Sequence, residues 1–219
     1  MNCFSRTTCC AFILIAVLAL SLLSVGVYAQ PYTNYQCPLA TPAWNGPFEV
    51  TFNYGANCAC IASAKYCVRV VNGVTEFLIG GLAFDPNCVG HAEPALVIAA
   101  RSAIWQNAAD DNVDGNLNYP PCGQGYTSTN VKTISGWCYT QFEEPYTVVI
   151  NGTVEQRTRT VRMTCAEIVC IKECAVCYDG DDPCNPGKKN LIVSCQTQYM
   201  PTQECPNDCS HFLDCSGTP

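Results

Sequence analysis

Sixteen cysteines between Cys37 and Cys215 constrain this chain more than any other feature of its sequence. Three more, Cys3, Cys9 and Cys10, fall in an N-terminal segment with the parts of a secretory signal. Arg6 carries positive charge, Ala11 to Val27 is an almost unbroken apolar run, and Val27-Tyr28-Ala29 offers a cleavage site that leaves Gln30 first. The apolar run of ~17 residues is at the short end for a membrane-spanning helix, so cleavage is expected rather than retention. An even, dense cysteine set behind an export signal reads as a disulfide framework in an oxidising compartment. The expected location is secreted or extracellular, with a cell surface or a periplasm as compatible settings, and no stable membrane insertion after cleavage.

The framework is expected to use Cys37, Cys58, Cys60, Cys67, Cys88, Cys122, Cys138, Cys165, Cys170, Cys174, Cys177, Cys184, Cys195, Cys205, Cys209 and Cys215. Spacing does not give its connectivity. Cys58 and Cys60 are too close to bridge each other readily, so each is expected to reach a separate partner. Cleavage leaves about 190 residues, enough to bury a core without bridges. The surplus of staples suggests endurance against proteases, drying or shear, or long loops in need of tethering. Charged residues make up 13% of the chain, against about 25% in an average soluble protein. The net charge is −7, or −8 without Arg6, which disfavours nucleic acid and anionic membranes as partners.

Periodicity then divides the chain into a signal peptide (1–29), a disulfide-stapled β-rich domain (30–200) and an irregular Cys-rich tail (201–219). Gln30 to Gly46 reads as an extended arm tied by Cys37. Pro47 to Tyr54 alternates as a strand. Tyr66 to Val71 and Val74 to Phe84 flank Asn72-Gly73, a strong hairpin signal, and Gly80-Gly81 is expected to bend or bulge the second arm. Glu93 to Ala108 has Pro94 at its start and a broad apolar stripe, which predicts a helix lying on a sheet. A long loop held by Cys122 follows. Strands are predicted at Val131 to Phe142 and Tyr146 to Ile150, with a solvated turn at Glu143-Glu144-Pro145 between them. A second hairpin turns at Asn151-Gly152, which with Thr153 is also a glycosylation sequon. Thr153 to Thr164, Cys165 to Tyr178 and Leu191 to Tyr199 complete the strands. The fold class expected is α+β: a mainly antiparallel sheet, one packed helix at about 93–108, and a Cys-dense C-terminal third.

Chemistry is sparse in this pattern. Cys170, Cys174, Cys177 and Cys184 have spacings that zinc or redox chemistry can use. On a strand, however, Cys170 and Cys174 share one face and Cys177 takes the other, which suits bridges to different neighbours. Asp110, Asn112 and Asp114, followed by Gly115, match the first half of a calcium loop and are the candidate metal ligands. The twelfth loop position is Pro121 instead of Glu, so a full EF-hand is excluded; the competing role is a polar turn that ends the helix. No other cofactor is indicated. No HExxH or GxSxG occurs. His91 beside Glu93, and His211, are weak candidates for a general base. One of Glu143 and Glu144 could serve a glycosidase pair whose partner is not identifiable. Trp44 is the best candidate for stacking on a sugar, while Trp105 and Trp137 are expected in the core.

The first expectation is therefore a secreted, disulfide-stabilised structural or adhesive surface or matrix protein without catalytic activity. It would associate with itself or with a surface glycan or protein, using sheet edges or the Pro31 to Tyr35 arm. The alternatives are an extracellular carbohydrate- or calcium-dependent binding module, and a small secreted hydrolase with an unrecognised site.

Overall fold

The computed structural model describes residues 32–86, 93–110, 117–123, 128–136, 138–150, 152–165, 169–199, 202, 204–207 and 209–211. Its elements are β1 (Asn45–Tyr54), β2 (Cys60–Val71), β3 (Val74–Phe84), α1 (Glu93–Asp110), β4 (Thr129–Gly136), β5 (Cys138–Ile150), β6 (Thr153–Thr164), β7 (Val169–Asp181), β8 (Lys189–Tyr199) and β9 (Ser210–His211). The expected class is the one that forms: a mostly antiparallel sheet with a single helix and many disulfides toward the C-terminus.

Strand β3 is the hub. Along one edge it pairs antiparallel with β2, which in turn pairs with β1. Its other edge is shared in tandem. Thr75–Ile79 pairs with β4, the one parallel ladder among the described strands, and Gly81–Phe84 pairs antiparallel with β6. From β4 the sheet continues to β7 and β8; from β6 it continues to β5 and the short β9.

The fork depends on Gly80. Lys65 pairs with Gly81 and Tyr66 with Ile79, so Gly80 is an extra residue in β3, a β-bulge. Side chains on a strand alternate faces, and one inserted residue reverses the phase. Phe77 and Ile79 before the bulge, and Leu82 and Phe84 after it, therefore enter the same core. A Cβ on Gly80 would lie 1.9 Å from the Tyr35 ring, so no other residue fits without displacing the arm. The β2–β3 connection is the expected tight turn, with Asn72 at φ 52° and Gly73 at φ 78°, the positive values that twist the strands correctly.

The larger core lies between the sheet and α1. Leu96, Val97, Ala100, Ile104, Trp105 and Ala108 are its buried stripe, and they meet Phe52, Tyr66, Phe77 and Val131. The sheet curls around this helix. In a flat sheet β1 and β7 would stand about 19 Å apart. Here Asn53 N donates to Asn185 Oδ1 at 2.8 Å, Asn185 Nδ2 donates to Asn53 O at 3.2 Å, and Cys58 bridges to Cys184. The turn after β7 thus clasps β1 beyond the helix.

Three expectations need correction. Glu143-Glu144-Pro145 is not a turn: β5 runs through it unbroken, with Pro145 opposite Thr158. A proline fits because that edge of β5 meets another described strand only at Cys138 and Tyr139, so no ladder bond is lost. The predicted strand Val131 to Phe142 is instead divided between β4, which ends at Gly136, and β5, which begins at Cys138. The arm, tied by Cys37 as expected, packs down onto the sheet: Tyr32 is 0% and Tyr35 7% exposed, and both join a second core with Cys67, Ala83, Val161 and Met163 on the sheet face opposite the helix. The tail is not wholly irregular, since β9 pairs with the start of β5.

Replacing Gly80 by Ala should lower stability by about 1–3 kcal/mol through overpacking against Tyr35. Gly73→Ala, with open space around it but positive φ, should cost about 1–2 kcal/mol from backbone strain alone. Urea unfolding of both variants checks this. Only Gly80→Ala should also increase the accessibility of Tyr35.

Candidate functional site

The sheet face opposite α1 carries two connected groups of polar contacts among the described residues. Tyr32 lies between two cations, with Lys65 Nζ at 5.1 Å and the Arg159 guanidinium at 4.7 Å from its ring. Its hydroxyl is 3.0 Å from Ser63 Oγ. Cys37, three residues after the 3₁₀ turn Tyr32–Asn34, is bridged to Cys67 of β2, which pins the arm. Burial raises the phenol pKa of Tyr32, and raises that of Tyr35 to about 12. Burial is the largest cause at both phenols and the one cause at Tyr35; at Tyr32 the Glu49 and Glu144 carboxylates add to it, while the Ser63 hydrogen bond and the Arg159 guanidinium oppose it.

Beside the arm, one row of charges crosses four strands in register. Arg69, Glu76, Lys132 and Glu173 are successive cross-strand neighbours on β2, β3, β4 and β7. Glu76 is the centre, with a side chain only 6% exposed; Arg69 donates to it at 2.7 and 2.8 Å and Lys132 at 3.1 Å. The Arg69 guanidinium also lies 4.2 Å from the Trp44 ring. That face of Trp44 is covered, and the ring packs against the second core. Trp44 is therefore half-buried, with one ring face already taken by a cation.

The β5–β6 hairpin leaves the sheet where β3 ends. Thr160 is opposite Phe84, the last residue of β3; beyond it, Thr153 to Arg159 pair with β5 alone among the described strands. About seven residues at 3.4 Å each give a projection of about 24 Å. Its base is ordered by cross-strand pairs. Arg159 donates twice to Glu144 at 2.8 and 3.1 Å, and Thr160 donates to Glu143 at 2.7 Å. Glu143 and Glu144 thus brace a strand on its two faces and do not form a carboxylate pair. Farther out, Arg157 and Glu155 form an exposed ion pair at 3.0 Å.

Six bridges lie within the described residues. Besides Cys37–Cys67 and Cys58–Cys184, Cys122–Cys177 ties the loop after α1 to β7, and Cys174–Cys195 joins directly opposed positions on β7 and β8. Cys138–Cys205 and Cys165–Cys209 fasten the tail beside β5 and β6. Cys60 and Cys170 are disulfide-bonded as well; Cys88 and Cys215 lie outside the described residues. On β7, Cys170 and Cys174 are buried and Cys177 faces the other way, toward Cys122.

Of the candidate calcium ligands, Asp110 ends α1 and accepts a hydrogen bond from Lys188 Nζ, while Asn112 and Asp114 lie outside the described residues. His91 and Trp137 lie outside them too, as do the side chains of Glu93 and His211. Among the described residues, no cluster of His, Cys, Asp and Glu is arranged to hold a metal ion, and no helix is long and apolar enough to cross a membrane. Reading Pro145 as a break hides the length of the hairpin's first arm, which runs on through that residue. The long run without Gly or Pro on its return arm, Thr153 to Thr164, is the signal for its length.

Truncating Glu76 to Ala leaves Arg69 and Lys132 without their shared carboxylate and should cost about 3–5 kcal/mol, read from denaturant midpoints. A separate pH effect follows from the arm. Tyr35 is raised in the folded state, so its contribution is complete below the unfolded value of about 10 and is lost as pH rises toward 12. Stability should fall over that window, and the fall should be shallower in Tyr35→Phe; chemical denaturation across alkaline pH measures both. Comparison with protein-family models, curated proteins and solved structures gives no match.

Proposed function

We propose that this chain is a secreted structural or adhesive protein of a cell surface or matrix, acting by contact and not by catalysis. The observation that carries this reading is the β5–β6 hairpin, whose Thr153 to Arg159 pair with no described strand but β5, on a body whose loops and tail are stapled by disulfides. A disulfide-rich fold fits an extracellular setting. Bridges that fasten peripheral segments to strands limit local opening, and local opening is what proteases exploit. A projecting hairpin with open edges offers backbone hydrogen bonds to a partner strand. The signal-like segment 1–29 supplies the export route that such a role requires.

Cells producing the full chain should release or display the protein outside the membrane, with Gln30 first and no thiol open to alkylation before reduction. Cytoplasmic retention with several free thiols overturns the proposal. Replacing residues 145–158 by a two-residue turn should preserve export and folding and abolish retention on the producing cell's surface or matrix. Unchanged retention would remove the hairpin from the adhesive role. A melting temperature that rises with calcium and falls again with chelator would instead favour the calcium-dependent binding module, with Lys188 displaced from Asp110.

A further inference from the structure

We propose that the outer edge of β6 pairs with the same edge of a second copy, forming a two-fold dimer centred on Gln156; this pairing rests on the adhesive reading above and names its partner. Thr160 to Met163 of that edge are taken by β3, which leaves Thr153 to Arg159 without a described partner there. The backbone phase is set by the turn. In a two-residue hairpin the flanking pair, here Ile150 and Thr153, exchanges hydrogen bonds, and hydrogen-bonded and non-hydrogen-bonded pairs alternate from it. Glu155, Arg157 and Arg159 then bond toward β5, while the N–H and C=O groups of Val154, Gln156 and Thr158 point outward. The same alternation brings Thr160 and Arg162 to β3, where Phe84 and Leu82 are their neighbours.

An antiparallel partner centred on Gln156 satisfies all of those outward groups. Val154 faces Thr158 of the second copy, and Thr153 faces Arg159. Glu155 faces Arg157 and Arg157 faces Glu155, in non-hydrogen-bonded positions where cross-strand side chains are closest. Centring the axis one residue either way sets Glu155 against Glu155 or Arg157 against Arg157, so charge selects the register. Such a contact is isologous and closes after two copies. Within one copy Glu155 and Arg157 already pair, but with side chains 42% and 44% exposed that bond is weakly held and readily exchanged. The edges of β5 and β8 are less suited. β5 carries Pro145, with no N–H, and adjacent carboxylates on Glu143 and Glu144. β8 has Lys189 as its one charged residue, and that charge is already paired with Asp181 at 3.0 Å.

Sedimentation velocity of the mature protein over a concentration series tests the pairing. A concentration-dependent dimer is expected. Glu155→Arg and Arg157→Glu should each weaken it by about tenfold, and the double variant should restore it. Gln156→Pro removes an outward N–H without touching the β5 ladder, and should abolish the dimer at an unchanged melting temperature. A protein that stays monomeric at every concentration, or a dimer that ignores all of these substitutions, overturns the proposal. If the monomeric protein is still retained on the cell surface, only the pairing fails. If neither dimer nor retention is seen, the adhesive reading fails with it.

Discussion

The Tyr35 ring occupies the space where residue 80 would carry a side chain, and the arrangement of the sheet follows from that contact. With glycine at 80, β3 can take an extra residue, change the phase of its side chains, and still fill one core from both sides of the bulge. The bulge also falls where the partner on the outer edge of β3 changes from β4 to β6. Without it, either Phe77 and Ile79 or Leu82 and Phe84 would face the arm instead of the helix. The arm in turn needs the gap, because Tyr32 and Tyr35 bury large rings there, and Cys37–Cys67 holds them in place.

Two devices then close the sheet on the helix. The apolar stripe of α1 supplies the driving force, since large buried side chains such as Ile104 and Trp105 contribute about 2–3 kcal/mol each relative to exposure. The Asn53–Asn185 bonds and Cys58–Cys184 supply the closure. That bridge spans 126 residues, and in the chain-entropy model a loop of that length is worth about 5 kcal/mol. Both effects act together, because the bridge raises the free energy of the unfolded chain while the core lowers that of the folded one.

The projecting hairpin is ordered differently from the body. Its base is fixed by Glu144–Arg159 and by the contact of Arg159 with Tyr32, so the arm and the hairpin share one anchor. Beyond that base the hairpin relies on its own ladder and on an exposed ion pair that contributes little. An isolated two-stranded ribbon is marginally stable in water, and a third strand along its edge is the usual remedy. A partner strand would thus stabilise the element that recruits it.

Local signals were enough for the short-range features. Asn72-Gly73 determined a tight hairpin because only residues tolerant of positive φ suit that turn. The spacing of Leu96, Val97, Ala100 and Ile104 determined a one-sided helix, and alternation on β7 determined which face each cysteine takes. Pro145 misled, because whether a proline breaks a strand depends on whether its N–H is needed, and that depends on which edge is paired. The burial of Tyr32 and Tyr35, the fork at Gly80, the capping of Trp44 by Arg69, and the choice among cysteine partners were all decided by the tertiary structure. Each is a contact between residues far apart in the chain, and composition or periodicity carries no information about which distant segments meet.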